Sequence, residues 1–346
     1  MNERSISRRT FIIAGVSFSA LFLGSTLLGC STAKAIGDSS VSASEEQSES
    51  THKVVLHRGY GAAHGDKCFT QIAVATAEDG TVLAANIDDY QYLSADTAGV
   101  IPVPNSDGAF AAGYAPGMVL VSKSFSDEAY SKMMAEKAGS TQSWLTSMQA
   151  IEAAAAGQEP KSLTKIGVDA ISGATLVDAP KYLAAVAEVA QNNDIIAEGT
   201  YTGDGSDLEL GAILAAAHGD KCFTSAIALV QGDTLVAASI DDFQYMAAGT
   251  EGINAVPNSD AGLSAGTAEG MMLVSKAVNS PIYSKALKEK GGATQDWITS
   301  VDAIEAFLAG ASISSVKAPS VDAVSGATLV DTTNYAQAAI DAAKRA

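Results

Sequence analysis

Apolar residues fall into two spacings along this chain, and the same succession of spacings occurs twice. Short runs suited to strands at residues 69–77 and 81–88, hinged on Glu78-Asp79-Gly80, predict a β-pair, and residues 223–231 and 234–241 repeat it. A Gly-, Pro- and Asn-rich stretch with little periodicity follows. Helical spacing takes over at 127–138 and 141–156, with Gly139 placed to stop the first helix. A last helix carries Leu183, Val186 and Val189 along one face. Strands followed by helices, without βαβ alternation, predict an α+β fold in which each half is an antiparallel sheet packed with helices.

The duplication extends to identical blocks. His64-Gly65-Asp66-Lys67-Cys68-Phe69-Thr70 returns as His218-Gly219-Asp220-Lys221-Cys222-Phe223-Thr224, a shift of 154 residues. One residue is lost at the turn of Gly80 and Gly232, and the shift is 153 from there on. Asp88-Asp89-Tyr90-Gln91-Tyr92 returns as Asp241-Asp242-Phe243-Gln244-Tyr245, and Val103-Pro104-Asn105-Ser106-Asp107 as Val256-Pro257-Asn258-Ser259-Asp260. Leu120-Val121-Ser122-Lys123 and Thr141-Gln142-Ser143-Trp144 recur as Leu273-Val274-Ser275-Lys276 and Thr294-Gln295-Asp296-Trp297. A period this long is a whole domain, not a solenoid unit. It places tandem domains at 54–192 and 198–346, joined near Asn192-Asn193-Asp194. Trp144 and Trp297 lie on amphipathic helical patterns and are expected to anchor the two cores.

The first residues are an address. Arg4, Arg8 and Arg9 precede an apolar run over 11–29, and Ser7-Arg8-Arg9-Thr10-Phe11-Ile12 matches a twin-arginine export signal. Leu27-Leu28-Gly29-Cys30 resembles the lipobox of bacterial lipoproteins, in which the cysteine becomes the first mature residue and carries the lipid. Residues 1–29 are then a signal peptide; an uncleaved membrane anchor is the alternative. Both readings hold the remainder at the extracellular face of the cytoplasmic membrane. Residues 30–53, rich in Ser, Ala and Glu, read as a disordered tether.

Charge and cysteines narrow the function. The formal charge is −18, and residues 1–29 carry three arginines and one glutamate, which leaves −20 for the rest. Such a chain does not favour nucleic acid. Beyond Cys30, the cysteines are Cys68 and Cys222, one per repeat. That count gives no Cys-x-x-Cys pair and no metal-ligand spacing, so neither haem, an iron–sulfur cluster nor another metal is expected. Both thiols are expected to be free and buried.

The chemistry concentrates in the strongest repeat. Asp169-Ala170-Ile171-Ser172-Gly173-Ala174-Thr175 returns as Asp322-Ala323-Val324-Ser325-Gly326-Ala327-Thr328, each just before a terminal helix. Glycine lets a ligand approach the backbone, and free N–H groups at a helix start suit a phosphate. A plainer reading makes each threonine a helix cap. The pattern Asp-x-x-Ser-Gly-Ala-Thr resembles the flavinylation motif of the FMN-binding domain family, where the last threonine is joined to FMN by a phosphoester bond that a separate FMN transferase makes from FAD. The His-Gly, Val-Pro-Asn-Ser-Asp and Ser-Lys blocks resemble those of two-domain flavin lipoproteins of extracellular electron transfer in Gram-positive bacteria, and the likeness covers nearly all of residues 54–346.

The resemblance implies two tandem FMN-binding domains with FMN on Thr175 and Thr328, framed by Asp169, Ser172, Gly173 and Ala174 and by Asp322, Ser325, Gly326 and Ala327. His64 and His218 are candidates to stabilise reduced flavin, Lys123 and Lys276 to meet its phosphate or ring edge, and Asn105 and Asn258, with Asp107 and Asp260, to hydrogen-bond the ring. The implied role is an electron carrier between a membrane dehydrogenase or quinol and extracellular acceptors, rather than a stand-alone enzyme. No dinucleotide fingerprint, nucleophile elbow or catalytic carboxylate pair argues otherwise. A flavin-dependent reductase and a colourless solute-binding lipoprotein are the alternatives.

Overall fold

A computed structural model describes residues 50–346 apart from 168–170, 172, 174, 175 and 325. The export signal, Cys30, most of the tether, and Asp169, Ser172, Ala174, Thr175 and Ser325 of the two motifs lie outside the described residues. In the first half, β1 (Thr51–Gly61), β2 (Cys68–Ala77), β3 (Val82–Ser94) and β4 (Met118–Ser122) lead to α1 (Asp127–Ala138), α2 (Trp144–Ala155), the single turn α3 (Pro160–Leu163) and α4 (Ala179–Val189). After β5 (Ile196–Thr202) the second half repeats the order. It comprises β6 (Leu208–Ala215), β7 (Cys222–Gln231), β8 (Thr234–Ala247), β9 (Met271–Ser275), α5 (Ser280–Gly291), α6 (Trp297–Leu308), the short β10 (Ala311–Ser312) and α7 (Thr332–Ala343). Among the described residues the fold is thus α+β, with two antiparallel five-stranded sheets and seven helices.

The first sheet runs β4-β3-β2-β1-β5; the second runs β10-β8-β7-β6, with β9 also on β8. Gly139 ends α1 in the left-handed conformation at φ 67°, as its position predicts. Strands β3 and β8 run six residues beyond the predicted Asp88 and Asp241, through the acidic pairs. β1 begins at Thr51, inside the stretch read as tether. β5 heads the second copy by sequence, yet it pairs antiparallel with β1, from Thr51 opposite Thr202 to His57 opposite Ile196. Gly199 permits the crossing, because a Cβ there would lie 2.2 Å from the Val236 carbonyl oxygen.

Alternation along the central strands explains the layering. Ile72 and Val74 of β2 face α2 and α4 with Trp144, Ile151, Leu183 and Val186. Ala73 and Ala75 face the other sheet, against Leu210, Ile227 and Leu229. The second sheet repeats this, with Ala226, Ala228 and Ile240 against Trp297, Ile304 and Tyr335. The result is helices, sheet, sheet, helices: two sheets bury one face on each other and one on their own helices. Both tryptophans are core anchors, 1% exposed. No helix among the described residues is long and apolar enough to cross a membrane.

The two halves grip each other reciprocally. Asn105 donates from Nδ2 to the carbonyls of Gly219 (2.8 Å) and Cys222 (2.6 Å), and Asn258 does the same to Gly65 (2.9 Å) and Cys68 (2.7 Å). Phe110 N–H donates to the Asp220 carbonyl and Leu263 N–H to that of Asp66, each at 2.8 Å. Tyr92 and Tyr245 meet hydroxyl to hydroxyl, each ring lying over the other half's Gly266 or Gly113. Such mutual exchange of the same contacts is an isologous, two-fold arrangement. A rule-breaking pair of backbones supports it: Asn105 and Asn258 both sit at φ 64°, a region asparagine tolerates better than most residues.

Candidate functional site

Each adjacent aspartate pair points to opposite faces of its strand. Asp88 and Asp241 face the other sheet; Asp89 and Asp242 face their own helices and floor the candidate site. Asp242 accepts from Lys276 Nζ (2.9 Å), Thr224 Oγ1 (2.6 Å) and the Tyr335 hydroxyl. Asp89 accepts from Lys123 Nζ (2.9 Å), Thr70 Oγ1 (2.6 Å) and the Tyr182 hydroxyl (2.6 Å). Both ion pairs are fully buried. The lysine ammonium groups lie over the rings of Tyr130 (4.7 Å) and Tyr283 (4.9 Å), a second source of compensation for burial. Burial works against both charges, but the paired aspartate together with the neighbouring cysteine and tyrosine outweighs it and holds both ammonium groups above the usual lysine range.

Cys68 and Cys222 sit beside these pairs, free and buried. Each thiol donates to the carbonyl of the histidine four residues earlier, His64 or His218, at 2.7 Å. Burial, then the neighbouring aspartate, pushes both thiols up to about 12, so neither is a nucleophile at neutral pH.

Above this floor lie the histidines and the motif loops. His64 Nδ1 meets Asp178 at 2.9 Å, and His218 Nδ1 meets Asp331 at 2.7 Å. The rings lie nearly parallel to those of Tyr182 and Tyr335. Asp178 and Asp331 are the N-cap residues of α4 and α7. They therefore fix each histidine to the start of the helix that follows the motif. Burial, followed by the Lys123 charge, holds His64 below its usual pKa.

Thr328 is not the cap of α7, since Asp331 occupies that place. The plain capping reading fails there: Thr328 is exposed, three residues ahead of the cap. Its loop is held by α6. Gln295 Nε2 donates to the Gly326 carbonyl and to Ser300 Oγ (2.6 Å). Ser300 Oγ in turn accepts from Thr328 N–H at 3.3 Å and lies 3.4 Å from Thr328 Oγ1. The first copy repeats the frame, with Gln142 Nε2 on the Gly173 carbonyl and 3.3 Å from Ser147 Oγ. Gly173 and Gly326 adopt φ 89° and 92°, which the turn requires of a residue without Cβ. Beside each loop Val177 and Val330 are 83% exposed, an apolar surface repeated in both copies.

In the second copy the residues present fit a phosphorylated flavin on threonine: an exposed threonine, a glycine turn, an exposed apolar side chain, and a histidine tied to the cap of the helix that follows. Ala327 is buried in the second core and Asp322 lies in a short 3-10 turn ahead of the loop. The structure gives two pairs of candidate residues other partners within the chain. Lys123 and Lys276 are 0% exposed and paired with Asp89 and Asp242. Asn105 and Asn258 spend both amide hydrogens across the interface, each bracing the other copy's histidine loop. Asp107 and Asp260 are exposed on those same turns. Conversely, Gln142, Gln295, Ser147, Ser300, Asp178 and Asp331 lie outside the motif, and their repetition at matching positions is the one signal the sequence holds for them. Among the described residues no three His, Cys, Asp or Glu side chains converge to hold a metal ion. Comparison with protein families, with curated proteins and with solved structures found no match to this chain.

Proposed function

We propose that each half is an FMN-binding domain whose threonine, Thr175 or Thr328, carries FMN as a phosphoester, and that the lipid-anchored chain relays electrons from a membrane dehydrogenase or quinol to extracellular acceptors. One observation carries the reading: Thr328, in a duplicated Asp-x-x-Ser-Gly-Ala-Thr frame, is exposed and released from helix capping. Attachment by an FMN transferase forms the threonine Oγ–phosphorus bond and breaks the pyrophosphate of FAD, with AMP leaving and the hydroxyl proton passing to the transferase. The bound flavin supplies the redox chemistry. The chain's own residues present the hydroxyl (Gln295, Ser300), tie an imidazole to the start of the helix that follows the motif (His218 on Asp331), and keep the buried thiol inert.

The test is the intact mass of protein made with an FMN transferase. Two FMN adducts are expected, one lost in Thr175→Val and the other in Thr328→Val; an unmodified mass refutes the proposal. A solute-binding lipoprotein has one observation of its own. A cavity of about 260 Å³ opens between the halves, lined by Arg58, Tyr60, Asp194, Asn254, Ser275 and Val278. That reading requires a colourless protein stabilised by a small solute.

A further inference from the structure

The loop that carries His218 is held from two directions. On one side lies α7 of its own half. His218 Nδ1 meets Asp331, the N-cap of α7, at 2.7 Å, and Asn334 Nδ2 donates to the Ala217 carbonyl at 3.2 Å. On the other side lies the first half. The carbonyls of Gly219 and Cys222 accept from Asn105 Nδ2, and that of Asp220 accepts from Phe110 N–H. The opposite half therefore satisfies most of the backbone of this loop, and α7 receives the imidazole it presents. From the cap the connection to the motif is short and stiff. The Leu329 carbonyl accepts from Thr332 N–H (3.1 Å) and Thr332 Oγ1 (2.6 Å), which closes the turn between Thr328 and α7. Mirrored contacts run from Asn258 and Leu263 to the loop of His64, whose ring meets Asp178, the N-cap of α4. The backbone shows what the asparagines are for. Both sit at φ 64°, which glycine adopts more freely. What asparagine adds at these two turns is the amide.

We infer that the candidate site of each half is completed by the other: Asn105 is a positioning residue for His218 and the start of α7, and Asn258 is one for His64. Where it concerns FMN at Thr328, this rests on the flavin reading above; the placement of the histidines stands without it. A paired amide fixes a loop only while both of its acceptors are in reach. Removing the amide in one half frees the histidine loop of the other half and leaves its own histidine held. A change made in the first half is thus felt at the second site.

Asn105→Gly and Asn258→Gly, each in the full chain, keep the backbone conformation and remove the amide. Imidazole NMR signals, resolved for the chain's four histidines, report ring placement, and peptide mass after exposure to an FMN transferase and FAD reports modification. Asn105→Gly should shift the ring signals of His218 and leave those of His64 in place; Asn258→Gly should do the reverse. Asn105→Gly should also lower FMN incorporation at Thr328 several-fold relative to the unsubstituted chain. The unmoved histidine in each variant, with circular dichroism, verifies the fold, and if one variant does not fold the other carries the same histidine test. Signals that move in both histidines, in neither, or in the substituted half's own histidine overturn the inference. So does a His218 shift with undiminished FMN at Thr328. An unsubstituted chain left without FMN overturns the flavin reading, and the histidine pattern then decides the crossed positioning by itself.

Discussion

Lys276→Met is the sharpest probe of the floor beneath the candidate site. The ammonium group is 0% exposed and lies 2.9 Å from Asp242. Methionine keeps the stem's volume and removes the charge. Asp242 is then left buried with only the neutral donors Thr224, Tyr335 and the Cys222 thiol. Breaking one member of a buried pair costs about 3–5 kcal/mol, because an uncompensated charge stays in the interior. The lost contact with the Tyr283 ring, at 4.9 Å, is part of that figure. In a protein of this size each kcal/mol lowers the melting temperature by roughly 2–4 °C, so the midpoint should fall by about 10 °C. Urea denaturation at pH 7 should show the same loss at unchanged m-value. Adding Asp242→Asn should restore at least half of it, since the orphaned charge is gone. Lys123→Met in the other half should behave alike. A loss below about 1 kcal/mol, or a double variant weaker than the single one, would refute the claim that the pair is held by mutual compensation.

Ser300→Ala or Gln295→Ala should lower FMN incorporation at Thr328 by several-fold while Thr175 is modified normally, read by peptide mass; equal loss at both threonines would mean a general folding defect. Burial pushes the Asp88 carboxyl up to about 7. Between that pH and the unfolded value of about 3.9 the folded chain binds a proton that the unfolded chain does not. The wild-type minus Asp88→Asn stability difference should therefore move in the wild type's favour as pH falls from 8 to 4, and a flat difference contradicts it. Thiol reagents should label Cys68 and Cys222 only after unfolding; rapid labelling of native protein at pH 7 contradicts their assigned burial.

What the sequence made legible was whatever depends on local spacing. The helix at 127–138 and its stop at Gly139 follow from near neighbours, as do the core roles of Trp144 and Trp297. β1 escaped notice because its inward positions include Arg58 and Tyr60, whose partners, Ser225 and Asp241, lie in the other half. β5 could not be assigned to the first sheet from the repeat register, since its place depends on what Gly199 lies against. The same limit applied at the site. A duplicated motif marks Thr328 as the candidate, but the polar residues repeated alongside it are split by strand parity and by the interface. That split sent Lys276 to the floor, Asn258 to the far half, and Gln295 to the loop.

The exchange of turns between the halves has a consequence for how many copies the assembly can hold. Contacts that two like units make reciprocally close on themselves, as in a two-fold dimer, and leave no matching surface for a third. Here both partners sit on one chain. Asn105 and Asn258 have already consumed the carbonyls that another copy's asparagine would seek. The chain is in effect a fused dimer, and its stoichiometry is written into the peptide rather than set by concentration.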